Sequence, residues 1–142
     1  MKRLHNPFYI GQVRGCAVRF FRAPNDVVAL PWHACADLTA AAALPDDLRT
    51  VFLNMTKSGQ WQDSVRTVAT DAGDVLIAPH FVAQGAMGAF QQHGLTDESF
   101  EDDWCITAAE AACKMQEGMS AEEKLKNIIM MGRQHLGRED DL

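Results

Sequence analysis

Two aromatic/histidine pairs, Trp32-His33 and His80-Phe81, carry the clearest chemical potential in this 142-residue chain. Each follows a proline, Pro31 or Pro79, at the end of a short apolar run. An imidazole beside an aromatic ring suits a small-ligand pocket. If the two stretches are copies packed about a pseudo-twofold, Trp32, His33, His80 and Phe81 converge on one pocket. The competing reading has Trp32 and Phe81 closing the ends of a core, with the histidines hydrogen-bonded nearby.

Other combinations are weaker on chemical grounds. Cys35, His80 and Asp37 supply the residue types of a nucleophile, a base and an orienter. His33-x-Cys35 invites a metal, but residues two apart on a helix point away from each other. His80 and His93 are too far apart on one helix to chelate together. No phosphate-binding glycine loop and no nucleophile elbow occurs, and no cofactor is implied. Arg14, Arg19, Arg22, Arg49, Lys57 and Arg66 all precede position 71. Arg19 and Arg22 on one hairpin and Arg66 on another would let two arms reach phosphates. Scattered solvating charge is the alternative.

The elements that must hold these residues follow from periodicity. Residues 1–15 read as an irregular arm anchored by Phe8, Tyr9 and Ile10. Cys16–Arg22 reads as a strand, turning at Pro24-Asn25-Asp26 to pair with Val27–Leu30. Pro31 suits the first turn of a helix through the alanines to Ala43. A second helix over 46–56 buries Leu48, Val51, Phe52 and Met55 at i, i+3, i+4 and i+7. Lys57–Asp63, with Gly59, reads as a loop. Residues 64–70 and 74–78 form a further hairpin turning at Asp71-Ala72-Gly73. A helix from Pro79 to Gln92 stops at Gly94, and its Gly85 and Gly88 suggest close packing on the Ala-rich first helix. The acids of 95–103 read as a linker. A helix over 106–117 starts with Thr107 and Glu110 in a capping box and ends at Gly118. A last helix over 121–136 is opened by the Ser120/Glu123 box. Leu125, Ile128, Ile129 and Leu136 share one of its faces, widened by Met130 and Met131. That face either packs on the Thr107–Met115 helix or forms an interface. The end, Arg138–Leu142, is expected to fray.

Composition sets the class. With 47% apolar and 23% charged residues the chain is an ordinary globular one. Residues 1–70 hold 8 Lys/Arg against 5 Asp/Glu, and residues 71–142 hold 5 against 14. His5, Asn6 and Pro7 break any apolar signal segment behind Met1-Lys2-Arg3. No run is long enough to span a membrane. Cys16, Cys35, Cys105 and Cys113 form no C-x-x-C pair and read as reduced, buried thiols, which places the chain in the cytoplasm.

Pro31-Trp32-His33-Ala34-Cys35-Ala36-Asp37-Leu38 resembles the PWF-x-A-x-DV stretch of the BRO-type N-terminal domain of phage antirepressors. His33 stands where that family has an aromatic residue, and Ala43-Leu44-Pro45 where it has a Leu-Gly pair. In that domain a hairpin leads into a helix through the motif, and a second hairpin and helix follow; Val75–Phe90 occupies their place here. The resemblance spans residues 16–92. It implies a mobile-element regulator that binds DNA or another regulator.

The expected fold is α+β: two antiparallel β-hairpins, each followed by a helix, plus a C-terminal helical hairpin. Residues 1–93 form the BRO-like domain and 94–142 a helical extension. The expected function is non-enzymatic regulation, with Arg19, Arg22 and Arg66 as DNA contacts. The alternative is a protein-interaction or homodimerisation module acting through the C-terminal helices. A third reading is a small enzyme with its site around Trp32, His33 and His80.

Overall fold

A computed structural model describes residues 3–25, 27–58 and 61–136. The Asp26 part of the first expected turn, Gly59 of the expected loop, Met1-Lys2 and the terminal stretch 137–142 lie outside the described residues. The fold is α+β: among the described residues there are one five-stranded antiparallel sheet and five helices. The strands are β1 (Tyr9–Val13), β2 (Cys16–Phe21), β3 (Trp32–Ala34), β4 (Arg66–Thr70) and β5 (Gly73–Ala78). Their order across the sheet is β1-β2-β3-β5-β4. The helices are α1 (Cys35–Ala41), α2 (Asp46–Ser58), α3 (His80–Gln92), α4 (Glu98–Met115) and α5 (Ala121–His135).

The first hairpin is not the expected one. Cys16–Phe21 pairs backwards with Tyr9–Val13, so the expected arm is a strand and Val27–Leu30 is a loop. The turn is Arg14-Gly15, with φ of 54° and 80°. Two successive left-handed residues match the right-handed twist of a two-residue hairpin. Arginine adopts that conformation at a cost, offset here by bonds that Nε donates to Asp103 (2.7 Å) and an NH2 group donates to Ser99 (2.8 Å). The turn thereby holds the start of α4. The second hairpin, β4–β5, turns at Asp71-Ala72 as expected, with Gly73 at φ 103°.

Pro31 does not open a helix. Trp32–Ala34 continues as strand, and helix begins only at Cys35. Phe20 lies opposite His33 and Phe21 opposite Trp32; on the other side His33 faces Ala78 and Ala34 faces Ile77. The three-residue strand therefore joins the two hairpins into one sheet.

Successive residues point to opposite faces. Val13, Val18 and Phe20 meet Leu38 of α1, Ala83, Ala86 and Met87 of α3, and Phe100, Trp104 and Ala111 of α4. Phe21, Trp32, Val75 and Ile77 lie on the other face, packed with Ala23 and Ala29. Trp104, Phe20, Leu38 and Met87 are fully buried, each contributing about 1.5–3 kcal/mol of transfer energy. The extension expected from residue 94 thus shares the core of the sheet through α4.

α4 also begins earlier than expected. Asp97 caps it, accepting from the Phe100 N–H at 3.0 Å, and Glu98 and Glu101 occupy its first turn. Acids there complement the helix dipole, so the stretch read as a linker is a helix start. Thr107 is mid-helix, its hydroxyl donating to the Asp103 and Gln12 carbonyls. α2 forms as expected, but Val51 and Met55 are exposed, and Phe52 and Thr56 are buried. The caps at Ser120/Glu123, Gly94 and Gly118 are as expected.

Gly85 and Gly88 do not seat α3 on α1. A Cβ at Gly85 would approach the Trp61 ring, and one at Gly88 would meet nothing within 4 Å. The close approach is at Gly11, where a Cβ would overlap Cγ2 of Thr107 on α4. Gly11→Ala should therefore destabilise the protein by about 1–3 kcal/mol through overpacking. Gly88→Ala should stabilise it, by up to about 1 kcal/mol, by removing a helical glycine. Urea unfolding checks both, and equal effects would contradict this packing.

Candidate interaction surface

The four residues of the expected pocket do not converge. Trp32 and His33 are neighbours in a strand, so they serve opposite faces of the sheet. Trp32 packs with Phe21, Val75 and Ile77, whereas His33 meets Trp104 edge-on, with ring centroids 5.3 Å apart. Phe81 is 42% exposed. His33 and His80 do interact: a charge on His80 raises the cost of one on His33. Burial, then His80, pushes His33 down to about 3; burial, then His135, pushes His80 down to about 4. His80 and His135 have ring centroids 5.8 Å apart. Three imidazoles thus run from β3 through the start of α3 to the end of α5. Beside them lies a cavity of about 160 Å³ lined by Pro31, His80, Cys105 and Ala109 among others.

This cluster is poorly suited to covalent chemistry. Burial pushes Cys35 up to about 12, so it remains a thiol at neutral pH, and the thiolate is the reactive form. Asp37 accepts from the Arg19 backbone N–H and from both arms of its guanidinium, at 2.9, 2.9 and 3.0 Å. The expected nucleophile–base–orienter set therefore has a protonated thiol and a carboxylate committed elsewhere. All four cysteines are free; Cys35 is buried, Cys16 and Cys105 are half-buried, and Cys113 is exposed, so burial holds for one of them. Among the described residues no group of three or more His, Cys, Asp or Glu is placed to hold a metal.

The three arginines expected at a duplex each have a partner within the chain. The bidentate Arg19–Asp37 pair ties β2 to the first turn of α1. The Arg22 guanidinium lies 5.2 Å from the Phe8 ring centroid. Arg66 donates at 2.8 Å to the carbonyls of Asp63 and Val65.

The least satisfied surface is on α5. Among its residues only Met131 is buried. Leu125, Ile128, Ile129 and Leu136 are exposed to 58, 55, 50 and 68%. Their spacing, with Gly132 between, puts them on one stripe, turned away from Asn127 and Met131. On the inner side, Asn127 donates to the Met119 sulfur and His135 faces His80. A cavity of about 180 Å³ lined by Ala23, Val28, Met115, Met119 and Met131 remains there. Leu125, Ile128, Ile129 and Leu136 of the face expected either to pack on 107–115 or to form an interface are therefore free in the monomer, whereas Met131, expected to widen that face, is buried on the inner side. Scattered single apolar side chains are normal on a surface, but a contiguous row marks an interaction site.

A second apolar surface, missed by the periodicity argument, is a groove of about 200 Å³ between α2 and α3, with Val51, Met55, Trp61, Phe90 and Leu95 along it. The i, i+3, i+4, i+7 pattern located Val51 and Met55 but could not say that nothing covers them.

Among the described residues no helix is long and apolar enough to cross a membrane. No family model matches the chain, and no curated protein and no solved structure matches it either.

The depressed histidines predict a stability loss in mild acid. Above pH 6.5 both folded and unfolded imidazoles are neutral. As pH falls below 6.5 the unfolded chain takes up protons that folded His33 and His80 refuse until about 3 and 4. Stability should then fall by about 1.4 kcal/mol per pH unit for each histidine well inside that window. The urea midpoint should drop between pH 6.5 and 5, and less steeply in His33→Leu. A flat profile would contradict the burial of the imidazole chain.

Proposed function

We propose that this protein is a non-enzymatic interaction module that engages a helical protein partner through the outward stripe of α5. The observation that carries the reading is the exposure of Leu125, Ile128, Ile129 and Leu136 on a helix well capped at its start. Capping by Ser120 and Glu123 favours helix at this position. What an ordinary surface helix buries, this one leaves in water. An amphipathic helix in that state is suited to a partner that supplies the missing apolar surface.

The reading agrees with the regulator expected from the BRO-type resemblance, in the form that captures another regulator. Supporting it is the element order over residues 9–92: hairpin, strand, helices, hairpin, helix. Ala43, with φ 55°, takes the left-handed conformation glycine favours, where BRO-type domains carry Leu-Gly. Direct duplex binding has less behind it, because Arg19 is held by Asp37 and the chain carries a net charge of −6. Such binding would weaken steeply with salt, whereas capture by an apolar stripe would not.

If the stripe is a docking face, it contributes nothing to the isolated fold. Replacing Ile128 and Ile129 together by Asn, a residue of similar helix propensity, should leave the urea unfolding free energy of dilute protein within about 0.5 kcal/mol. A loss of about 2 kcal/mol or more, as for buried isoleucines, would place them inside the core and overturn the reading.

A further inference from the structure

The α5 stripe has a pattern that is complementary to itself. From one end it reads Ala121, Leu125, Ile128, Ile129, Gly132, Leu136. Run antiparallel against a second copy, with a twofold axis between Ile128 and Ile129, Leu125 falls opposite Gly132 and Ile128 opposite Ile129. Ala121 then falls opposite Leu136. Each leucine meets a small residue, and the isoleucines meet at the centre. Gly132 offers the room: no heavy atom lies within 4 Å of where its Cβ would be. A twofold contact needs such a self-complementary patch.

The charges suit the same alignment. Glu122, Lys126 and Arg133 lie along one edge of the stripe by helical spacing. Glu122 and Lys126 pair within the helix at 3.2 Å. With a rise of about 1.5 Å per residue, Glu122 of one copy comes within about 3 Å, along the axis, of the level of Arg133 in the other. That offset is within reach of an ion pair, and it is made twice by symmetry. Lys124 and Arg133, which come level in this register, sit on opposite edges and do not clash. The antiparallel arrangement also opposes the two helix dipoles favourably.

The geometry points to a homodimer in which α5 pairs antiparallel with α5 of a second copy, in the Leu125–Gly132 register. This rests on the outward stripe being a docking face, and it names what docks. One helix pair buries less than a standard interface of about 1,600 Å², so the dimer is weak and reversible, to be sought between about 10⁻⁶ and 10⁻³ M protein.

Sedimentation equilibrium of the full chain across that concentration range gives the test. The native chain should pass from monomer to dimer. Gly132→Leu should weaken the dimer at least about tenfold, since leucine then meets leucine. The exchanged variant, Leu125→Ala with Gly132→Leu, should restore affinity to within a few-fold. Under a non-specific apolar contact, Gly132→Leu would tighten association instead, and that result would overturn the register. A native chain that is monomeric at every concentration would overturn the homodimer. If the Ile128/Ile129 variant is then still fully stable, the outward face stands and its partner is another protein. If that variant is destabilised, the docking reading itself falls.

Discussion

The fold turns on a strand of three residues. Trp32, His33 and Ala34 pair with β2 on one side and β5 on the other. Without those bonds the protein is two separate hairpins, and a lone hairpin is marginally stable in water. The strand also divides the interior. Trp32 packs with Ala23 and Ala29, His33 faces Trp104 and the helices, and Ala34 leads into α1. Two further ties fix what surrounds it. Arg19 clamps Asp37 at the start of α1, and Arg14 clamps Asp103 in α4. Both are arginine–carboxylate contacts between a strand or hairpin turn and a helix, where the planar guanidinium sets direction as well as distance.

The division of labour among the helices follows. α1, α3 and α4 bury Leu38, Met87, Phe100 and Trp104 against the sheet. By α4 that sheet face is covered, and of α5 only Met131 is buried. It rests on methionines and on the His80–His135 contact and turns its leucine and isoleucines outward. Methionine fills irregular gaps without fixing a neighbour tightly, which suits a helix held against the body yet open on its far side. The imidazole chain from His33 to His135 runs from the sheet core to the inner edge of that helix. His33 and His80 are both neutral at ordinary pH, which keeps their contact free of like-charge repulsion.

The sequence carried the class of fold and most helix boundaries, because caps and i, i+3, i+4 spacing are local signals. Ser120 with Glu123, Gly94 and Gly118 were readable for that reason. The errors share a cause: the decisive information was non-local. Tyr9–Val13 is interrupted by Gly11 and pairs as a strand because Cys16–Phe21 lies beside it. Trp32–Ala34 is buried on both faces and shows no alternation to read. The acids at 97–103 resemble a linker until Arg14 is seen to hold Asp103. The supposed repeat failed on the same point, since matching strings at 31 and 79 become a strand and a helix. For the site, Arg19 gave no sign of its partner Asp37, because their bond crosses from strand to helix. The α5 stripe was visible as a pattern, but whether it was covered depended on α4, whose apolar side chains are committed to the sheet.

The central claim is that the outward stripe of α5 binds α5 of a second molecule. Backbone amide NMR over a dilution series reads that contact residue by residue. The account predicts concentration-dependent shifts concentrated in residues 121–136, with the sheet and α1–α4 little changed. Spectra that do not change on dilution, or changes centred on Arg19, Arg22 and Arg66 instead, would contradict it.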